Sequence, residues 1–223
     1  MDQDLRAAMD RIVEKARSSP HPESTPESEP LSILTPEQEE RANRFQQRQR
    51  AVGAGVPVRF LDVETDSIEP ELWAQCQGWE SDGLFLHGPP GTGKTHLAVA
   101  LLKQARRTRG DRFITVASLL LELRNSFRDG AEKSEMEIID SFSGANIVVL
   151  DDLGVEKSSE FTIQSLYIII DRRYSEMRPT IITSNLTLEE VAEKVGDRIA
   201  SRIAGMCRVI ELKGRDRRLG AKV

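Results

Sequence analysis

The chain reads as an α/β fold: a parallel five-stranded sheet with flanking helices, preceded by a helical extension. Three observations predict it. From Gly83 onward, short apolar segments alternate with helical ones, the mark of a parallel sheet. A glycine-rich loop, Gly88-Pro89-Pro90-Gly91-Thr92-Gly93-Lys94-Thr95, stands between the first such strand and the helix after it. A later apolar run, Ile147-Val148-Val149-Leu150, ends in the paired acids Asp151-Asp152.

Taken in order, residues 2–17 carry Leu5, Ala8, Met9, Ile12, Val13 and Ala16 at helical spacing, with charges on the other face. Residues 18–34 are rich in proline, serine and glutamate, the composition of a disordered linker. A tethered helix of this length is marginal alone. It either folds back on the rest of the chain or docks on another protein, lying in a groove. Residues 35–82 form a helical lead-in. Thr35 is placed as an N-cap with Pro36 behind it, the helix runs to about Ala51, and Gly53-Ala54-Gly55 ends it. A second helical stretch lies near 70–78.

The main domain spans 83–218, with a tail at 219–223. Strands are expected at 83–87, 113–116, 146–150, 180–184 and 207–212. Helices are expected at 95–107, 117–128, 134–142, 159–176, 187–194 and 196–205.

A net charge of -5 argues against bulk attraction to nucleic acid, though not against a local basic patch. Cys76 and Cys207 make neither a zinc ligand set nor a disulfide framework, which suits a reducing cytosol. The acidic N-terminus lacks an apolar signal region, and the apolar runs are far shorter than a membrane span. A cytoplasmic protein is expected.

The glycine-rich loop fits the pattern G-x-x-x-x-G-K-[ST] at every fixed position, with a strand before it and a helix after it. Its backbone N–H groups and the positive helix end face an anion. Lys94 can reach the β- and γ-phosphates, and the Thr95 hydroxyl can ligate Mg²⁺. The strand ending in Asp151-Asp152 delivers both acids to the carboxyl edge of the sheet, beside that loop. Asp151 is placed to hold Mg²⁺, and Asp152 to act as general base on the attacking water or to orient it. Asn185, ending Thr180-Ile181-Ile182-Thr183-Ser184, is placed to touch the γ-phosphate or position the water; a turn asparagine is the other reading. Arg198 and Arg202 lie four apart on one helix face. They either pair with acids such as Glu190 or Glu193, or serve as an arginine finger on the phosphoryl group.

These residues resemble a family. The series GPPGTGKTH, VVLDDLG, IITSN, DRIASRI and KGRDRR, with the lead-in Gly55-Val56-Pro57-Val58-Arg59-Phe60, is similar to the AAA+ ATPases of the DnaC/DnaI helicase-loader group. The resemblance covers roughly residues 50–218. Transposition helper ATPases of the IstB type share most of the motifs. The resemblance implies an AAA+ core that binds ATP at Gly88–Thr95 with Mg²⁺, and it makes Asp151 and Asp152 a Walker B pair. It implies Asn185 as sensor 1 and Arg202 as a trans arginine finger with Arg198 as its companion. AAA+ proteins commonly carry glutamate at the Asp152 position, and the shorter acid implies slow hydrolysis. No C-terminal helical lid is expected, and Arg217 or Arg218 stands in for a lid arginine. Val58 and Phe60 are candidate walls of the adenine pocket.

The implied activity is ATP-dependent loading of a replicative hexameric helicase onto single-stranded DNA, with subunits assembling when ATP-bound. Arg124, Phe127 and Arg128, with Lys157 and Phe161, lie where such loaders place DNA contacts. They combine the cations and aromatics that single strands need, though both phenylalanines could equally be core. The alternatives are an IstB-like regulator of DNA transposition and a binding module with a structural nucleotide. A small-molecule kinase is a further option, against which Asn185 and Arg202 argue.

Overall fold

The computed structural model describes residues 35–105, 110–154, 160–214 and 216–217. The chain divides into two compact units, Met1–Glu40 and Arg41–Val223. The helix expected at 2–17 and the linker at 18–34 lie outside the described residues, as do Lys157, Arg215 and Arg218. Of the first unit, residues 35–40 are described. Thr35 begins a helix there: its Oγ1 accepts from the Gln38 amide at 3.3 Å, and Gln38 Oε1 accepts from the Thr35 amide at 2.9 Å. This reciprocal cap satisfies two amides that a helix start leaves open.

Helix α1 spans Pro36–Ala54. It continues past Ala51, where the glycines were expected to stop it. The stop falls one residue after Ala54, where Gly55 takes a left-handed φ of 90°. There the Gly55 amide bonds Val52 O and the Val56 amide bonds Ala51 O, a Schellman closure in which the glycine supplies the left-handed residue. A 3₁₀ turn (Val58–Phe60), another (Thr65–Ser67) and short helices α2 (Pro70–Gln75) and α3 (Trp79–Asp82) lead to the sheet.

The second unit then alternates: β1 (Leu84–His87), α4 (Lys94–Gln104), β2 (Arg112–Thr115), α5 (Val116–Asn125), α6 (Glu135–Ser143) and β3 (Val148–Leu153). There follow α7 (Glu160–Ser175), β4 (Thr180–Ser184), α8 (Leu188–Val195), α9 (Asp197–Met206) and β5 (Arg208–Glu211). All five strands run parallel in the order β2-β3-β4-β1-β5. The expected strands are all present, within two or three residues at their ends.

A parallel sheet buries both faces, and successive strand residues point to opposite ones. Leu84, Leu86, Val149 and Ile181 join a core with α1, α4 and the lead-in. Phe85, Val148, Leu150 and Ile182 join the opposite core with α5–α9. The β1–β4 register pairs Leu86 with Thr183 and His87 with Ser184. The carboxyl ends of β1, β3 and β4 therefore arrive together. At the opposite edge of the sheet, where β4 begins, Arg173 of α7 is wholly buried. Its guanidinium donates to the carbonyls of Phe142, Ser143, Ala145 and Pro179 and to Thr180 Oγ1, tying the end of α6 to β4.

Candidate nucleotide site and neighbouring arginines

The loop after β1 is shaped by close backbone approach. Gly88 sits at φ 140°, and a Cβ there would collide with the Leu212 carbonyl. Gly91, at φ 77°, lies under the Asp216 carboxylate, which fills the space a Cβ would need. Thr92 Oγ1 donates to Pro89 O at 2.9 Å and closes the loop on itself. Gly93 then caps α4, whose first residue is Lys94. Lys94 is buried, and its Nζ donates to Gly88 O at 2.7 Å, Pro89 O at 2.9 Å and Asn185 Oδ1 at 2.8 Å. The cation is thus held inside a ring of carbonyls at the positive end of a helix, a cradle suited to polyphosphate.

The next residue reaches the second strand of the site. Thr95 Oγ1 donates to Asp151 Oδ1 at 2.8 Å, and Thr183 Oγ1 donates to the same oxygen at 2.7 Å. Asp151 is buried, and burial raises its pKa above the ordinary carboxylate value. The bonds from Thr183 and Thr95 oppose that rise, the Asp152 charge adds to it, and the Lys94 charge opposes it. A hydroxyl and a carboxylate oxygen, converging where phosphate oxygens would arrive, are donors of the kind Mg²⁺ takes while keeping its waters. Among the described residues, no group of three or more His, Cys, Asp or Glu gathers to hold a metal.

Asp152 behaves differently. It has a positive φ of 63°, a backbone state that non-glycine residues adopt at some cost and that clusters at functional sites. The β3–β4 register slips there: Leu150 pairs with Ile182, and pairing resumes at Leu153 with Ser184. The Asp152 amide, turned out of the ladder, donates to Thr183 Oγ1 at 2.9 Å. Its half-buried carboxylate accepts from Asn185 Nδ2 at 3.1 Å. Asn185 therefore bridges Lys94 and Asp152 with the two ends of one amide. The strand expected to end at Leu150 instead carries both acids and turns the second one aside.

Thr183 is the residue that sequence reasoning missed. It lies within the segment containing Asn185 and two positions before it, so both point to one face. A hydroxyl directly after two strand isoleucines, Ile181 and Ile182, was the available signal. A second missed set frames the loop. Ser67 Oγ lies 2.7 Å from His96 Nε2, and burial, then Arg217 and Lys103, lowers the His96 pKa. After β5 the chain crosses the loop: the Arg217 amide donates to Gly91 O at 3.0 Å, and its guanidinium pairs with Glu69 at 3.3 Å. Of the two arginines expected to stand in for a lid arginine, Arg217 lies against the loop. Phe60 is half-buried with the Arg59 guanidinium 5.0 Å over its ring, and Val58 is exposed.

The α9 arginines part company. Arg198 is exposed. Arg202 does not pair with Glu190 or Glu193. Its Nε donates to Asp171 Oδ1 of α7 at 2.6 Å, and its guanidinium lies 4.7 Å over the Tyr174 ring. Glu190 is engaged elsewhere, accepting from the Thr187 amide at 2.7 Å in the cap of α8. Phe127 is 65% exposed, so it is not core. It lies in the turn after α5, with its ring 5.7 Å from Phe161, edge to face. Phe161 is half-buried on the α5–α9 core. Arg124 and Arg128 are exposed beside the pair in sequence.

Strand order, loop and paired acids define an ATP-binding protein of the P-loop class with an AAA+ core. The model of the IstB-like ATP binding protein family matches residues 75–223, and the chain belongs to that family. It is 33% identical to the replicative helicase loader DnaC of Escherichia coli (strain K12) over 117 residues, 52% of this chain and 47% of that protein. It is 34% identical to an ATP-binding protein of insertion sequence IS5376 from Geobacillus stearothermophilus over 145 residues, 62% of this chain and 56% of that one. The chain thus spans about half the length of the curated relatives it matches. A crystal structure of the DnaC helicase loader superimposes with a TM-score of 0.60 at 27% identity, covering 70% of this chain and all of that one. Among the described residues, no helix is long and apolar enough to cross a membrane.

Proposed function

We propose that this chain is a cytoplasmic, Mg²⁺-dependent ATPase that loads a replicative hexameric helicase onto single-stranded DNA. The observation that carries the ATPase reading is the continuous chain of contacts from Lys94 through Asn185 to Asp152, beside the Thr95–Asp151 pair. ATP supplies a γ-phosphoryl group whose transfer to water needs positioning and charge neutralisation. Lys94 meets the phosphate oxygens, while Thr95 and Asp151 hold Mg²⁺. Asp152 takes up or orients the proton of the attacking water, and Asn185 fixes that carboxylate relative to Lys94. Arg202 of a neighbouring subunit, with Arg198 beside it, completes the site. Hydrolysis then changes the assembly state and releases the loader.

The loader reading is supported by the likeness to DnaC in both sequence and fold. Residues 1–34 carry the helicase contact. Phe127 and Phe161, with Arg124, Arg128 and Lys157, take the single strand by stacking and charge. The IS5376 relative favours a second reading, a regulator of DNA transposition. The two separate in one assay. With ATP, a loader stimulates its helicase on a forked substrate coated with single-strand-binding protein. A transposition regulator gives no stimulation and instead coats duplex DNA.

A further inference from the structure

Arg202 emerges from α9 next to a stripe of α7. Tyr167, Asp171 and Tyr174 stand at i, i+4 and i+7, on one helix face. Their neighbours Leu166, Ile169, Ile170 and Arg173 are buried on the other side. Each residue of the stripe meets the same guanidinium. Asp171 takes Nε at 2.6 Å, Tyr174 lies under the plane at 4.7 Å, and Tyr167 adds to the electrostatic support of the cation. Gly205, one turn further along α9, makes the fit possible: a Cβ there would stand 2.9 Å from Tyr174 Cε2. The helices could not close on that ring with a larger residue.

We infer that Asp171 and Tyr174 are positioning residues for the Arg202 finger, holding its guanidinium ready for the site of the adjacent subunit. The inference rests on the trans-finger reading above and deepens it. The choice of nitrogen decides between holding and hiding. Asp171 engages Nε, at the base of the fork, and so does not consume the terminal amino groups that make bidentate phosphate contacts. A masking acid would take those instead. Both side chains are partly exposed, Arg202 at 38% and Asp171 at 31%, so the pair faces outward where a neighbour can approach. A long side chain fixed beforehand loses less freedom on meeting its target, and fixed charge aimed at a developing anion is what accelerates phosphoryl transfer.

Mixed-subunit ATPase measurements on full-length proteins, with Mg²⁺ and a single-stranded oligonucleotide, test this. Arg202→Ala protein keeps a complete site but gives no finger, whereas Asp152→Asn protein gives a finger but turns over poorly. Mixing them is expected to restore turnover that neither shows alone. Placing Asp171→Ala in the Asp152→Asn donor is expected to cut the restored kcat about tenfold, the scale of one lost charge-assisted hydrogen bond, with KM for ATP unchanged. In the same donor, Tyr174→Leu is expected to cut it a few-fold, and Tyr174→Phe, which keeps the ring face, is expected to restore it fully. Equal or greater restoration by the Asp171→Ala donor, or a loss with Tyr174→Phe matching that with Tyr174→Leu, would overturn the positioning role. Failure of the unmodified Asp152→Asn donor to restore any turnover would instead overturn the trans-finger reading itself. Thermal melts of each donor separate these outcomes from misfolding, because Asp171→Asn and Tyr174→Phe change few contacts and carry the test if the larger truncations unfold.

Discussion

Replacing Asp151 with asparagine is expected to stabilise the nucleotide-free protein while removing its ATPase activity. Asparagine keeps the shape and the Oδ1 that accepts from Thr95 and Thr183, so the change isolates the charge. Burial is the leading cause of the raised Asp151 pKa, ahead of the two hydroxyl bonds that oppose it. In the folded state the acid therefore holds its proton more tightly than in the unfolded chain. Its contribution to stability is complete below the unfolded value of 3.8 and is lost as pH rises through the folded one. At neutral pH the buried, charged form is a cost, and the neutral isostere relieves it. Relief of about 1–2 kcal/mol is the usual scale for removing an ill-compensated buried charge. In a domain of this size that raises Tm by about 2–8 °C. Scanning calorimetry without nucleotide, run from neutral pH down toward 3.8, should show a gap that is full at neutral pH and closes as pH falls through the raised folded value. An Asp151→Asn protein that melts lower than the wild type at pH 7.5 would refute the reasoning, because the carboxylate would then stabilise through its hydroxyl bonds more than burial penalises it.

Asn185→Ala should leave KM for ATP within a few-fold and reduce kcat about a hundredfold, since it frees Asp152 and Lys94 from a shared anchor; steady-state kinetics measure both. Thr183→Val removes the donor to Asp151 and the acceptor for the turned-out Asp152 amide. It should cost about 1–3 kcal/mol in urea unfolding and slow turnover. Phe127→Ala should weaken single-stranded DNA binding by about 1–3 kcal/mol with little change in its salt dependence, read by fluorescence anisotropy across a salt series. Arg173→Leu leaves four buried carbonyls without their donor and should cost more than about 3 kcal/mol in urea.

Where one signal set the structure, it could be read from sequence. The strands are apolar runs flanked by glycine or polar residues, and burial on both faces leaves little else for such runs to do. The loop and the first acid follow from a motif whose flanks fix its context. What escaped reading depends on pairing across the sheet. The kink at Asp152 is invisible in an apolar run ending in Asp-Asp, because it arises from a register slip against β4 that Thr183 stabilises. Sequence proximity points Arg202 to acids such as Glu190, but Glu190 already closes the cap of its own helix. The true partner, Asp171, comes from a helix 31 residues away. The glycine-rich segment predicts an end of α1 near Ala51, three residues early, because composition does not distinguish Gly53 from Gly55, the residue that turns left-handed.

The most direct measurement of the central proposal is native mass spectrometry of the protein with its replicative helicase in ATP and Mg²⁺, with and without residues 1–34. The loader account predicts a discrete complex of the full chain with the helicase hexamer, lost when those residues are removed. Absence of any complex, with ATP-dependent filaments on duplex DNA in the same samples, would contradict it and favour the transposition reading.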